Sequence, residues 1–499
     1  MYFQYQFSSL NLSCFIPEGI LIFNIILILI IDLVSKKENE SILVKISFIG
    51  LLFSMLTLVE QWYHKSTIAF LGSFEVNHFT TCFRLIISLC CTLCIPLAFE
   101  YIVCSGIRFT EFIIFLLFTT LGAMILSSAN DLITIFISLE CLGLGSYLLT
   151  GYMKKDIRSN EAAMKYLIIG GTSSSIFAYG LSWLYGLSGG NIQLTNISHN
   201  FLHLDSSYNL ANWFAYICII VGIGFKLSLV PFHRWSPDVY EGSPTPVVAF
   251  LSIISKAAGL ALIIRLSDII LPTLQKDSNL ILQMLAILTM IIGNLLAMVE
   301  TSMKRMLTYS SISQAGYLLI GIVVGKENGY ASLLVYMIFY LFMNIGAFSC
   351  IILFGLRTGT DQIRDYTGLY KKDPLLASCL SLCLLSLAGI PPLTGFFGKI
   401  FLFWSAWQSG FYFLVITGIF TSIVSIYYYM RIIKFLVVVK EKNISYYVRK
   451  YCIRKYNNKT LFFQQNPIEF NIYLCTLISG FVGVFINPVI YFAQQSILK

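Results

Sequence analysis

The chain has 499 residues, of which 57% are hydrophobic and only 11% charged, with a mean hydropathy of +0.79, whereas soluble domains carry roughly 25% charged residues. That composition excludes a water-soluble globular enzyme. The net charge of +9 argues for nucleic acid only if a membrane topology leaves the basic residues unexplained.

The N-terminus, MYFQYQFSSLNLSCF, has neither the basic region of a cleavable signal nor an arginine-rich transit pattern, so it reads as mature sequence from Met1. At about 20 apolar residues per span, fourteen segments are predicted: 17–34, 43–60, 82–103, 111–129, 131–152, 163–186, 212–231, 245–267, 279–299, 305–325, 329–355, 374–407, 411–438 and 469–495. The fold class is therefore an all-α polytopic membrane protein. Glu18 follows Pro17 at the opening of the first span, where an acid suits the positive end of a helix dipole.

The third span contains Cys90, Cys91 and Cys94. No paired CxxC and no ferredoxin-like set accompanies them, so they read as small apolar packing residues. There is likewise no GxGxxG after a strand, no Walker loop and no nucleophile elbow. Nucleotide binding and electron transfer, where relevant, are assigned to other chains.

Charges inside apolar runs are costly, about 2.5 to 3.5 kcal/mol each on insertion scales, and call for a function, a partner or water. Glu140 lies mid-span in TIFISLECLGLGSYLL with no basic residue within a helical turn. A cross-helix pair with Lys226 would favour the charged form of both groups, and breaking it would release the lysine's proton; the other reading is a static ion pair. Lys226 and Lys256 bracket Pro231, Pro237, Pro244 and Pro246, which cannot all occupy the interior of one helix. The seventh span is therefore predicted to be broken, a state tolerated where protein or a water-filled cavity satisfies the freed backbone groups. Lys399 follows a second break, GIPPLTGFFGK. For these lysines the alternative is snorkelling to an interface. Ser228, Thr245 and Tyr309 are candidate hydroxyls to complete a relay. His233, in VPFHRW, is either a proton link to bulk water or an interfacial loop residue. Arg84, Arg265 and Asp268 lie near span ends and read as snorkelling or interfacial.

Basic residues follow this topology. Connections after the odd-numbered spans hold 23 of them, the opposite loops hold Lys65, Lys276 and Lys326, and the termini add Lys499. By the positive-inside rule the basic side faces the compartment of synthesis and both termini face the other, which leaves no need for nucleic acid. The basic run from about 439 to 462 is either a solvated or lipid-facing loop or a docking surface for a neighbour.

Shifting the sequence by 170 residues brings Tyr147 onto Tyr317 and Tyr166 onto Tyr336, and a shift of 173 brings Lys226 onto Lys399. Spans 4 to 8 thus overlie spans 9 to 13. An odd number of spans per unit inverts the second copy in the membrane, the arrangement in which transporter sites form at discontinuous helices. The expected organisation is an N-terminal three-helix segment over 1–104, five-helix repeats over 105–270 and 271–438, and a basic loop with a C-terminal helix over 439–499.

The stretches NDLITIFISLECLGLGSYLLTGYMKKDIRSNEAAMKYL, GFKLSLVPFHRWSPDVYEGSPTPVVAFLSIISK, TSMKRMLTYSSISQAGY and LLSLAGIPPLTGFFGK resemble the antiporter-like membrane subunits of respiratory complex I, in its plastid form above all. The resemblance implies fourteen helices with two inverted five-helix repeats and two discontinuous helices. It implies proton translocation driven by quinone reduction elsewhere in the complex, with proton sites at Glu140, Lys226, Lys256 and Lys399. It further implies a thylakoid location with stromal basic loops and lumenal termini, and partners among other membrane and peripheral subunits, membrane lipids and photosystem I. This chain is expected to bind no cofactor, with plastoquinone, NAD(P)H or ferredoxin, and iron-sulfur clusters handled by partner subunits. Two rivals remain: a Mrp-type cation/proton antiporter on the same repeat, and a membrane scaffold whose charges hold helices together.

Overall fold

With no water in a bilayer core to satisfy peptide groups, an apolar run must close its hydrogen bonds within a helix. The computed structural model describes residues 11–34, 40–201, 209–438, 467–483 and 485–498, and these residues are mostly helical. Apart from two short helices, Leu194–Phe201 and Leu369–Lys372, the α-helices are α1 (Ile16–Val34), α2 (Glu40–Trp62), α3 (His78–Ser105), α4 (Phe109–Ser128), α5 (Leu132–Thr150), α6 (Ile157–Leu187), α7 (Asn209–Lys226) and α8 (Trp235–Gly242). They continue with α9 (Thr245–Val299), α10 (Met303–Val324), α11 (Lys326–Thr358), α12 (Pro374–Ala388), α13 (Thr394–Gln408), α14 (Tyr412–Val437), α15 (Pro467–Phe481) and α16 (Ile486–Leu498). A two-stranded antiparallel hairpin, β1 (Thr67–Ala69) and β2 (Phe74–Val76), sits between α2 and α3. The basic run at 439–462 lies outside the described residues.

Among the described residues, eleven helical segments are long and apolar enough to cross a membrane, and α15 with α16, bent by 91°, makes a twelfth. The interrupted pairs α7/α8 and α12/α13 bring the described spans to fourteen, the predicted number. The last span departs from expectation: 469–495 reads as one helix in the sequence, but α15 ends at Phe481 and α16 begins at Ile486.

α9 carries two spans, Thr245–Ser267 and Ser278–Val299. Lys256 donates to the Ser311 carbonyl, while a Cβ added at Gly293 would lie 2.8 Å from the Ser313 backbone nitrogen. Two points 37 residues apart thus face neighbouring residues of α10. In a straight helix they would be about 55 Å apart, so the chain folds back between them, as the two predicted spans require.

Polarity sorts these helices into layers. The Thr245–Ser267 window is wholly buried by other helices and Met303–Val324 is 94% buried, against 28% for Ser41–Trp62. A helix enclosed by protein can carry SSISQ, as α10 does, because neighbours satisfy its side chains. A lipid-facing helix such as α2 must be apolar outward. In the N-terminal segment two sequence readings need correcting. Arg84 is fully buried rather than snorkelling, and it pairs with the equally buried Glu18 at 2.9 Å and donates to Gln61 at 2.6 Å. Glu18 therefore ties α1 to α3 rather than acting only at its own helix start. On the basic side, Arg357 holds Asp373 at 2.7 Å and Glu469 at 3.0 Å, joining α11 to the start of α12 and to α15.

Candidate functional site

The prolines of the first break avoid helix interiors. α7 stops at Lys226, Pro237 falls in the first turn of α8, and Pro244 caps α9 with Pro246 just inside it, positions where a missing N–H costs little. Trp235 secures the break by donating to the Phe225 carbonyl at 3.1 Å and stacking on Tyr166 at 4.6 Å. This leaves Lys226, 5% exposed, as the last residue of α7. Its ammonium lies 5.7 Å from the Tyr147 ring and 3.2 Å from where a Cβ at Gly143 would be. Only glycine there leaves the charge its full space. Among the described residues, Lys226 has no hydrogen-bond acceptor and no carboxylate within 4.0 Å.

The second break repeats this chemistry. α12 ends at Ala388 and Gly389 takes a left-handed conformation (φ +83°), the usual glycine ending of a helix. Its last carbonyls then lack partners. Lys399, from α13, donates to the carbonyls of Leu387 at 3.0 Å and Ala388 at 3.1 Å, a cation on the negative end of a helix. Its ammonium stands 5.1 Å from the Tyr317 ring. The two tyrosines that a 170-residue shift superposes thus each face the lysine of their own break.

Lys256 lies between the breaks, 1% exposed, with its ammonium on the Ser311 carbonyl and 5.6 Å from the Tyr340 ring. A cavity of about 10 Å³ separates Lys226 from Ser255, at the lower limit of room for one water molecule. On the other side, Gln314 stands one turn beyond Ser311. It accepts from the Tyr336 hydroxyl and donates to the Leu387 carbonyl at 3.4 Å, the same oxygen that Lys399 uses. Asn344 donates to Ser252 at 2.7 Å and to Tyr340 at 3.2 Å. Sequence reasoning missed Gln314, Tyr336, Tyr340 and Asn344. The available signal was an uncharged amide or phenol inside an apolar run, which a membrane tolerates at lower cost than a charge.

Glu140 does not form the expected contact. No ion pair within 4.0 Å joins it to Lys226 among the described residues, although its charge acts on that lysine at longer range. The carboxylate is half-buried, at the edge between the exposed α5 stripe of Ile133, Ile137, Leu144 and Leu148 and the stripe of Gly143 and Tyr147 that faces Lys226. His233 is also half-buried, in the turn between exposed Pro231 and Arg234, with no hydrogen bond to a lysine. Ser228 bonds its own neighbour, the Leu227 carbonyl, at 2.6 Å. Thr245 is buried, and its hydroxyl has no partner among the described residues. Tyr309 is half-buried among Glu300, Arg305 and Asp238, away from the lysines. Arg265 is held in the protein by the Ala129 carbonyl at 2.5 Å and Glu75 at 3.8 Å, so snorkelling does not describe it. The side chain of Asp268 lies outside the described residues. No group of three or more His, Cys, Asp or Glu among the described residues is placed to hold a metal.

Residues 129–425 match the family described as NADH:quinone oxidoreductase/Mrp antiporter, TM, and residues 1–100 match NAD(P)H-quinone oxidoreductase subunit 2 N-terminal. A relative from Chara vulgaris, named NAD(P)H-quinone oxidoreductase subunit 2, chloroplastic, is 86% identical over 499 residues, the whole of both chains. The chain belongs to this subunit 2 family. A chain of respiratory complex I from Thermus thermophilus is 27% identical with a TM-score of 0.75, covering 96% of this chain and 99% of that one. A chain of the Mrp complex from Dietzia is 18% identical with a TM-score of 0.80 over 97% of each. That last likeness establishes a shared fold only, and the family assignment rests on the sequence matches.

Proposed function

We propose that the chain is a proton-translocating membrane subunit of a multisubunit plastid oxidoreductase that reduces a quinone at the expense of NAD(P)H or ferredoxin. The observation that carries this reading is the set of three lysines, each 5% exposed or less, on three different helices and without a carboxylate within ion-pair distance among the described residues. A buried ammonium held only by carbonyls and aromatic rings can give up its proton, as lysine does readily when desolvated and arginine does not. Lys226, Lys256 and Lys399 then act in sequence across the two repeats, 105–270 and 271–438. The small cavity beside Ser255 joins the first two, and Gln314 with the Leu387 carbonyl joins the last two. The charge of Glu140 biases Lys226, and its half-exposed carboxylate supports input from an adjoining subunit. His233, next to exposed Arg234, is the group with access to water on the basic side.

In this reading the basic loops are stromal, the termini lumenal and the membrane is the thylakoid. Plastoquinone, the electron donor and the iron-sulfur clusters belong to partner subunits, and photosystem I is a further partner. The family match and the chloroplastic relative support this setting. The test is proton uptake per quinone reduced, measured on assembled complexes in vesicles for Lys226→Met and Glu140→Gln. Both are expected to lower the ratio, and a normal ratio in either would remove that residue from the relay.

A further inference from the structure

A cavity of about 560 Å³ opens beside the second break, between α13 and α14. Phe396, Phe403, Trp404, Ile419 and Ile426 give it an apolar, aromatic wall, and no acidic residue lines it. Its rim carries side chains with no cover from the rest of the chain: Trp404 is 57% exposed and Trp407 52%. Lys399 supplies its one charge. Two of the three ammonium protons go to Leu387 and Ala388, and the third has no acceptor among the described residues. A pocket of this size, mostly apolar with a few polar groups, has the composition of a small-molecule site.

Depth selects the occupant. Lys399 is nine residues from the end of α13 at Gln408, about 14 Å along the helix, and half of a hydrocarbon core is about 15 Å. An ionic headgroup does not reach that depth at acceptable cost. A diacyl lipid would lay its chain ends against the ammonium and leave the third donor unmet. The complementary molecule has an uncharged head with a carbonyl oxygen, a flat face to lie against Phe403 and Trp404, and a long apolar tail that leaves between the tryptophans. We propose that this cavity binds the head of a neutral, membrane-dissolved quinone, whose carbonyl accepts from Lys399. It is a second quinone position, separate from the site of reduction, and it stands apart from the relay, since occupancy is read whether or not Lys399 transfers a proton.

The probe is an azido-benzoquinone with an isoprenoid tail, photolysed on the assembled wild-type complex and followed by peptide mapping. Label is expected within residues 388–426 and is displaced about tenfold by excess unlabelled quinone, the change that about 1.4 kcal/mol of competing binding gives. Ile419→Trp, which fills the cavity, should remove the same label from complexes that assemble. Undisplaced label, label confined to other subunits, or equal labelling by a photoactivatable diacyl lipid that quinone does not displace would overturn the proposal. Each outcome with the wild-type complex decides without the variant.

Discussion

Gln314 and Lys399 share one acceptor: the amide of Gln314 and the ammonium of Lys399 both donate to the Leu387 carbonyl, at 3.4 Å and 3.0 Å. α10 and α13 meet there at the open end of α12. A change in the charge of Lys399 alters how strongly it holds this oxygen, and the amide of Gln314 responds. Replacing Gln314 with Leu removes that bond and the acceptor of Tyr336. At about 1 kcal/mol for each of the two bonds, the rate of proton uptake should fall about 30-fold while assembly persists. Wild-type uptake would take the carbonyl bridge off the route.

Lys256 distinguishes a transferring ammonium from a fixed charge. Arginine preserves the charge but stays protonated, so Lys256→Arg should lower the rate of proton uptake by at least about 100-fold, the lower end of the range assigned to a positioned acid or base. Full uptake with arginine present would mean that Lys256 serves as a static cation.

The pair Glu18–Arg84 is a strict test of the N-terminal segment. Arg84→Met leaves a carboxylate buried without its cation, a loss of about 3–5 kcal/mol, and the abundance of assembled complex on native gels should collapse. Adding Glu18→Gln to Arg84→Met should restore most of it. No recovery in the double variant would mean that Arg84 matters through Gln61 or packing instead.

Close approach of the two pieces of the second broken helix depends on Gly395. A Cβ there would lie 1.7 Å from the Ser386 carbonyl oxygen, whereas one at Gly19 would meet nothing within 4 Å. Gly395→Ala is expected to force α13 away from α12 and cost assembly or proton uptake, with Gly19→Ala behaving as wild type. Equal behaviour of the two would show that the break opens freely.

Asp238 pairs with Lys165 at 3.3 Å and with the partly exposed Arg305 at 3.4 Å, Asp238 and Lys165 both being solvent-exposed. Exposed pairs of this kind contribute little, and salt screens them. Asp238→Asn should leave complex abundance unchanged in native gels run at low and high salt. A loss confined to high salt would point to a role beyond these pairs.

Span number, the two breaks and the positions of the lysines were legible because each is local. Apolar run length, proline placement and a charge inside an apolar run can be read without knowing any neighbour. The repeat was legible through Tyr147 and Tyr317, which turn out to face Lys226 and Lys399. Partners were not legible. Glu18 meets Arg84 66 residues away, and Gln314 reaches Leu387 across 73. Glu140 shows the same limit in reverse, since a lone acid and a lone lysine invite pairing on paper, while among the described residues the two form no ion pair and Glu140 acts on Lys226 only at longer range. Gln314 escaped notice because a neutral amide costs less than a charge in a membrane and so stands out less.

The sequence by itself determined that this is a polytopic membrane protein, that two of its spans break at prolines, and which charges the membrane must tolerate, because bilayer thickness and proline geometry act on each segment alone. Only the tertiary structure decided which carbonyl, ring or cavity each charge meets. Those contacts depend on the rotation and crossing of helices far apart in the chain, and a half-turn of one helix exchanges a buried partner for lipid.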